Sequence, residues 1–416
     1  MNKEICISTL RKDSIEKLRT LTNNSNIRKL SKSELIYQII INHLKEGKTI
    51  IGDGVVNFVG ENVYLRSAEF NYSICKSDIF LYSKVAEQFF LKEGDYIECQ
   101  VSLPFEEGKC IVCSQILKIN HKPPKQCSTF FDFDSLVPEH PFKKINLEMN
   151  GQDKHMLRVL DLVAPIGFGQ RALILAPPKS GKTTLMHNIA LAITKNHPEV
   201  YLILLLIDER PEEVTEAQRI IKGEIISSNF DEPAYSHTRV AEITLNRAKR
   251  LVESGKDVII LLDSITRLAG AYNDITPSSG KVLSGGIDSN ATYKPKKFFG
   301  AARAFKSSGS LTIIATALVD TGSKMDEVIY EKFKGRGNCD ISLKRSLLEQ
   351  GIFPPLDILG SFTRRSELFL NELEVNRRRL LRQVLCKQKN EEAIDILLKE
   401  VQKTSNNSDL LQSLTR

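Results

Sequence analysis

The stretch "LAPPKSGKTTL", residues 175–185, limits what this chain can fold into more than any other. It joins an apolar run, "RALILA", to residues 181–195, in which Leu185, Ile189 and Ile193 share one helical face. A strand, a Gly- and Lys-bearing loop and a helix in that order form a phosphate cradle. Backbone N–H groups and the positive end of the helix both point at phosphate oxygens. Gly181 lets the backbone come close, Lys182 reaches the β- and γ-phosphates, and Thr183 holds Mg²⁺. Ala176 stands where the first loop glycine is usual, on the strand side, where a methyl is tolerable. Lys179 adds a second cation within the loop.

Three more apolar runs, "VYLILLLID", "DVIILLD" and "SLTIIATAL", alternate with helical stretches from about residue 151 onward. Nearly continuous apolar strands belong in a parallel sheet covered on both faces, so the expected class is α/β. Two of the runs end in acids. Asp263 can orient the shell of a Mg²⁺ ion, and a carboxylate at Asp208 or Glu209 can position and deprotonate an attacking water. The cation needed for charge developing on the transferred phosphoryl group is missing locally. A later arginine, supplied by the same or a neighbouring subunit, must provide it.

The N-terminal third reads differently. Ser31 and Glu34 form a capping box ahead of "LIYQIIINHLKEG", with a weaker helix around residues 12–22. Short strand-like runs follow at 55–59, 63–67, 78–82, 96–103 and 110–119, the fourth alternating strictly between apolar and polar. Five short strands between Gly- and Asp-bearing turns suit an OB-fold barrel. The expected domains are therefore a helical subdomain at 1–47, an OB-fold at 48–119, a Pro-bearing connector at 120–150 and the ATPase domain at 151–416. A net charge of +7 leans toward polyanionic partners. Of the eight cysteines only Cys110 and Cys113 form a CxxC, without a second pair, and they read as buried strand thiols. Cys127 falls in the connector. The longest apolar run, "YLILLLI", is too short to cross a bilayer, and the N-terminus has no long apolar segment, so the expectation is a cytoplasmic protein without a membrane partner.

Beyond these general features, "LIDERPEEVTE", "FDEPAYSH", "DVIILLDSITRLA", "SGKVLSGGID", "KKFFGAAR" and "SLTIIATALVDTGSKMDEVIYEKFKGRGN" closely resemble the bacterial transcription termination factor Rho family, from about residue 30 to 380. The Ala-first loop "APPKSGKT" is similar to that family's usual form. The resemblance implies a RecA-like P-loop ATPase domain preceded by the barrel and the helical subdomain. It implies a homohexameric ring that threads nascent single-stranded RNA, moves by hydrolysing ATP with Mg²⁺ as a 5′-to-3′ RNA–DNA helicase, and releases transcripts from RNA polymerase. On the family's motifs, Lys179, Ser180, Gly181, Lys182, Thr183 and Thr184 would bind ATP, with Phe353 stacking on adenine. Glu209 would be the catalytic base, Asp263 the acid organising Mg²⁺ through water, Arg210 a γ-phosphate sensor and Arg364 an arginine finger. Lys281, Val282 and Lys324 would line the central channel, and Tyr64, Arg66, Asp78 and Phe80 would bind RNA on the barrel.

The chain also departs from the family pattern. Asn62 and Val63 stand where an aromatic and a glycine are expected, and Cys110 stands where a further aromatic is expected. Base–aromatic stacking is worth about 1–3 kcal/mol per base, so the barrel is expected to bind RNA less tightly and with less cytosine preference than is usual in the family. Thr184 replaces a larger apolar residue near adenine, and Gly351 and Gly360 replace common arginines. Two other functions compete: a rotary ATP synthase subunit, which normally keeps the first loop glycine, and a non-motor RNA-binding assembly on the same fold.

Overall fold

The computed structural model describes residues 5–22, 29–104, 106, 109–124, 132–149, 154–278, 280 and 283–414. The chain divides into two compact units, Met1–Asp134 with Arg239–Ser254, and Ser135–Thr238 with Gly255–Arg416.

In the N-terminal unit the helix Lys32–Lys45 opens on the expected capping box. Ser31 Oγ accepts from the Glu34 N–H while the Glu34 carboxylate accepts from the Ser31 N–H. The helix expected around 12–22 is instead two, Ile7–Lys12 and Ile15–Leu21. The chain turns at Asp13, and Ser14 caps the second helix by accepting from the Lys17 N–H. Five strands follow, Ile50–Val59, Asn62–Arg66, Ile79–Leu81, Tyr96–Ser102 and Ile111–Ile119. The first begins at Ile50, earlier than the run 55–59 suggested, and its "IGDG" is extended and pairs with the fourth strand. The strands join in the order first, second, third, fifth, fourth and back to first, with the third and fifth parallel. That closed ring, with the short helix Ser83–Gln88 after its third strand, is an OB-fold. Val63, Leu65, Ile79, Leu81, Ile97 and Cys99 point into its core, fully buried.

The second unit is built on a sheet in which seven strands run in the order Phe362–Thr363, Cys339–Ser342, Arg171–Ala176, Ser310–Leu318, Val258–Asp263, Tyr201–Glu209 and Glu224–Asn229. All are parallel except the first, and the two-residue strand Arg303–Ala304 also pairs antiparallel with Ser310–Leu318. The four apolar runs seen in the sequence are the four central strands, and Val258–Asp263 is buried at every position. Placing Ser310–Leu318 between the phosphate-loop strand and Val258–Asp263 brings Ala176, Asp263 and Glu209 to the carboxyl edge of one sheet, where ligands of open α/β folds bind. At the C-terminus the helices Glu372–Leu385, Asn390–Lys403 and Asn407–Ser413 are tied to the helix Lys154–Val163. Arg158, 1% exposed, donates to the carbonyls of Val401 and Thr404 and to the Asn407 side chain. Among the described residues no helix is long and apolar enough to cross a membrane.

Candidate functional site

The phosphate loop leaves its strand at Ala176, which is fully buried; its methyl packs into the core rather than into the loop. Lys179 and Gly181 both take left-handed backbone conformations, with φ of 59° and 79°. Glycine adopts this freely, whereas at Lys179 the loop imposes it. Gly181 caps the helix Lys182–Asn196, which has no side-chain cap, so its first N–H groups stay open to an anion. Ser180 is fully buried, and its Oγ has no hydrogen-bond partner among the described residues. An uncapped helix start and an unsatisfied buried hydroxyl are what a phosphate-binding loop presents before its ligand arrives. Thr183 follows half-buried, and Thr184 is exposed.

Lys182 reaches away from the loop toward the acids. Its Nζ lies 2.7 Å from Asp263 Oδ1 and 3.9 Å from Glu209 Oε2. Burial opposes its charge, but Asp263 and then Glu209 outweigh that, and its pKa rises above the ordinary lysine value. Asp263 is 3% exposed and also accepts a 2.8 Å hydrogen bond from Thr316 Oγ1, on the intervening strand. Glu209 is pushed up to about 7, first by burial and further by Asp263 and Glu213, with Lys182 pulling the other way. A register shift between Ile207 and Glu209, with Asp208 at φ 58°, turns the strand end. Glu209 thus joins the Lys182 cluster while Asp208 pairs with Arg267 at 3.4 Å. The sequence left these two acids as alternatives, and the structure separates them. Sequence reasoning missed Thr316 and Glu213, which lie within the quoted runs "SLTIIATALVDTGSKMDEVIYEKFKGRGN" and "LIDERPEEVTE" but were not singled out there.

Arg210 is exposed at the N-cap of the helix Pro211–Ile220. Phe353 is 41% exposed, and the same loop carries Pro355, whose ring lies beside Gly181. Arg364 follows the edge strand Phe362–Thr363; its exposed guanidinium lies 5.9 Å over the Phe362 ring, and its charge also acts on Asp340. Gly351 and Gly360 sit on either side of the Pro354–Asp357 segment, and Arg382 donates to the carbonyls of Leu359 and Ser361. Lys324 is exposed at the start of the helix Lys324–Phe333, and its carbonyl packs against Gly285 so closely that a Cβ there would meet it at 2.7 Å. The two expected channel loops therefore touch. Lys281 and Val282 lie outside the described residues, as does Cys127.

On the barrel the second and third strands place Tyr64 opposite Phe80, with ring centroids 5.8 Å apart. Arg66 and Asp78 lie one alternation further along the same face. They are 3% and 1% exposed and form an ion pair with each other. The Arg66 guanidinium also stacks 4.8 Å over Tyr64, and Asp78 accepts from the Cys75 N–H at 2.9 Å. This pair fixes the Tyr64 ring from below. A cavity of about 470 Å³ opens beside the rings, lined by Asn62, Tyr64, Phe80, Tyr82, Lys109, Cys110 and Val112. Here the reading of the CxxC needs correction. Cys113 is buried in the barrel core, but Cys110 is half-buried, precedes the strand and lines this outer cavity. Sequence reasoning also missed Tyr82, although alternation from Phe80 would have found it.

A P-loop ATPase joined to an OB-type RNA-binding domain is the class that this fold and these sites define. Residues 157–363 match the ATP synthase alpha/beta family, nucleotide-binding domain, and residues 52–125 match the Rho termination factor, RNA-binding domain. The transcription termination factor Rho of Cereibacter sphaeroides is 46% identical over 392 residues, covering 94% of this chain and 93% of that protein. That of Escherichia coli K12 is 44% identical over 416 residues and 99% of each chain. The chain belongs to the transcription termination factor Rho family. Among solved structures, an ATPase from the type III secretion system of pathogenic bacteria aligns with a TM-score of 0.56 at 22% identity, over 68% of this chain and 87% of that one. An ATP synthase subunit, NeqB from Nanoarcheaum equitans, aligns with a TM-score of 0.55 at 17% identity, over 71% and 82%. These two share the fold.

Proposed function

We propose that the chain is an RNA-dependent ATPase that works in the cytoplasm as a homohexameric ring, moves 5′ to 3′ along nascent single-stranded RNA, unwinds RNA–DNA hybrids and terminates transcription by releasing the transcript from RNA polymerase. The observation that carries this reading is the cluster of Lys182, Asp263 and Glu209 at adjoining strand ends, in a chain that matches Rho proteins over nearly its whole length. The likeness to rotary ATPase subunits covers the nucleotide-binding domain; the match of residues 52–125 to an RNA-binding domain accompanies Rho alone.

The residues fit a magnesium nucleotide. The loop N–H groups, Ser180 Oγ and Lys179 supply donors and positive charge for the phosphates. Thr183 and, through water, Asp263 would hold Mg²⁺, which when bound withdraws charge from phosphoryl oxygens. Lys182 already carries a full positive charge at the acids and is positioned to follow phosphate charge. Glu209, with a pKa of about 7, is poised to accept a proton from water near neutral pH. Phe353, exposed two residues before the Pro355 that lies beside Gly181, would stack on adenine. Arg210 would sense the γ-phosphate, and Arg364, at the sheet edge, would complete a neighbour's site. Lys324 and the loop holding Lys281 and Val282 would grip the RNA backbone.

Measuring ATP hydrolysis with and without single-stranded RNA tests the reading. Strong stimulation by RNA is the expected result. Equal rates would favour a rotary-type ATPase, and absent turnover a non-motor RNA-binding assembly. Native mass spectrometry with nucleotide and RNA should show six copies.

A further inference from the structure

The second and third barrel strands set three cross-strand pairs side by side on the outer face. The register aligns Leu65 with Ile79, Tyr64 with Phe80 and Val63 with Leu81. Residues 63, 65, 79 and 81 point into the core, so 62, 64 and 66 face outward beside 82, 80 and 78. From one end to the other, the rows are Arg66 with Asp78, Tyr64 with Phe80, and Asn62 with Tyr82. The first row is a buried ion pair, and the second is an aromatic pair resting on it. In the third row the aromatic directly follows the third strand, at the start of the helix Ser83–Gln88, and lines the same cavity as the asparagine.

The family resemblance implies an aromatic at position 62, and its loss was counted as a lost base platform. The structure shows an aromatic, Tyr82, directly after the third strand and lining the same cavity as Asn62. Tyr82 meets Phe80 edge-on at 5.2 Å and stays 40% exposed. Tyr64, Phe80 and Tyr82 thus form a continuous run of rings along one wall of the 470 Å³ cavity, with Val112 and Cys110 also lining it. Lys109 lies at the rim with its ammonium 2.6 Å from Glu106, and its carbonyl accepts a 2.8 Å hydrogen bond from Tyr37 on the helix Lys32–Lys45.

The geometry points to Tyr82 as a base-stacking residue of the RNA-binding face, taking the part that position 62 does not. The occupant is an unpaired base of single-stranded RNA. This rests on the barrel's reading as an RNA-binding domain and goes beyond it, since neither the motif nor the family resemblance assigns Tyr82. Three adjoining rings offer π-surface to any base, and ring stacking tolerates sequence. The relocated platform restores affinity without restoring cytosine preference.

The test uses the full-length chain and fluorescein-labelled oligo-C and oligo-A in anisotropy titrations at fixed low salt, without nucleotide. Tyr82→Ala is expected to weaken binding of both oligomers by about tenfold or more, Tyr82→Phe to leave it within about twofold, and the double variant Tyr82→Ala with Asn62→Phe to recover most of the loss. The chain has no tryptophan, so Tyr82→Trp supplies a single local reporter that RNA should quench over the same concentrations. If the parent binds RNA while Tyr82→Ala matches it within twofold, or the Tyr82→Trp emission ignores bound RNA, the assignment of Tyr82 is overturned and the RNA-binding reading stands. If the parent binds neither oligomer, both fall.

Discussion

At the scale of single residues, the cluster sets a lysine whose charge its neighbouring acids favour within 4 Å of a glutamate that burial pushes up to about 7. Burial holds the Glu209 carboxyl at about 7, so the basic form is the majority only above that value. RNA-stimulated turnover should therefore fall on acidification through neutrality, approaching about a tenfold loss per pH unit well below 7. A pH–rate profile of kcat checks this. Glu209→Gln should lower kcat by about a hundredfold or more, remove the acid limb, and leave nucleotide binding in place. Much of this centre was legible beforehand, because Lys182, Thr183, Glu209 and Asp263 occupy the ends of recognisable strands or the loop itself. Thr316 was not. Its apolar run marks it as a strand residue and nothing more, and only the strand order makes it a neighbour of Asp263. Arg66 and Asp78 could be placed on the RNA-binding face, but nothing in the linear pattern shows that they neutralise each other there.

At the scale of elements, long apolar runs and capping residues could be read directly, and short polar strands could not. "EIISSN", Glu224–Asn229, and "CDIS", Cys339–Ser342, carry too few apolar residues to announce themselves; their partners in the sheet make them strands. The C-terminal helices illustrate the same dependence. Arg158 satisfies the end of Asn390–Lys403 and the start of Asn407–Ser413 from inside the core. Arg158→Leu would take the guanidinium donors from the Thr404 carbonyl and from Asn407 Oδ1, and would leave the Val401 carbonyl with only its bonds from Thr404. It should cost about 3 kcal/mol and lower Tm by about 5–10 °C in a thermal melt. The loss should appear in stability, with the Lys182 cluster unchanged.

At the scale of the whole molecule, the proposed ring makes hydrolysis a property of pairs of subunits. Arg364 lies at a sheet edge, exposed, and contacts Phe362 of its own strand. Arg364→Ala and Glu209→Gln should each nearly abolish RNA-stimulated hydrolysis when prepared alone. Mixed in equal amounts and allowed to exchange subunits, they should regain about a quarter of parental activity. In a randomly mixed ring, a Glu209-bearing site meets an intact Arg364 at about one interface in four. A steady-state ATPase assay of the mixture decides it, and no recovery would mean that the finger does not act in trans.

One ladder of backbone hydrogen bonds gives that arrangement a mechanical side. Ala172 pairs with Cys339, and Cys339 pairs with Thr363, the residue before Arg364. The strand that delivers the nucleotide loop and the strand that delivers the arginine are thus two rungs apart, a span of about 10 Å. In the proposed ring, strands bonded in register would shift together, so a push felt at one subunit's phosphates would reach the sheet edge as a change in the aim of Arg364. Each protomer would then tell the next, through a stiff lever and not a flexible arm, whether its own fuel has been spent.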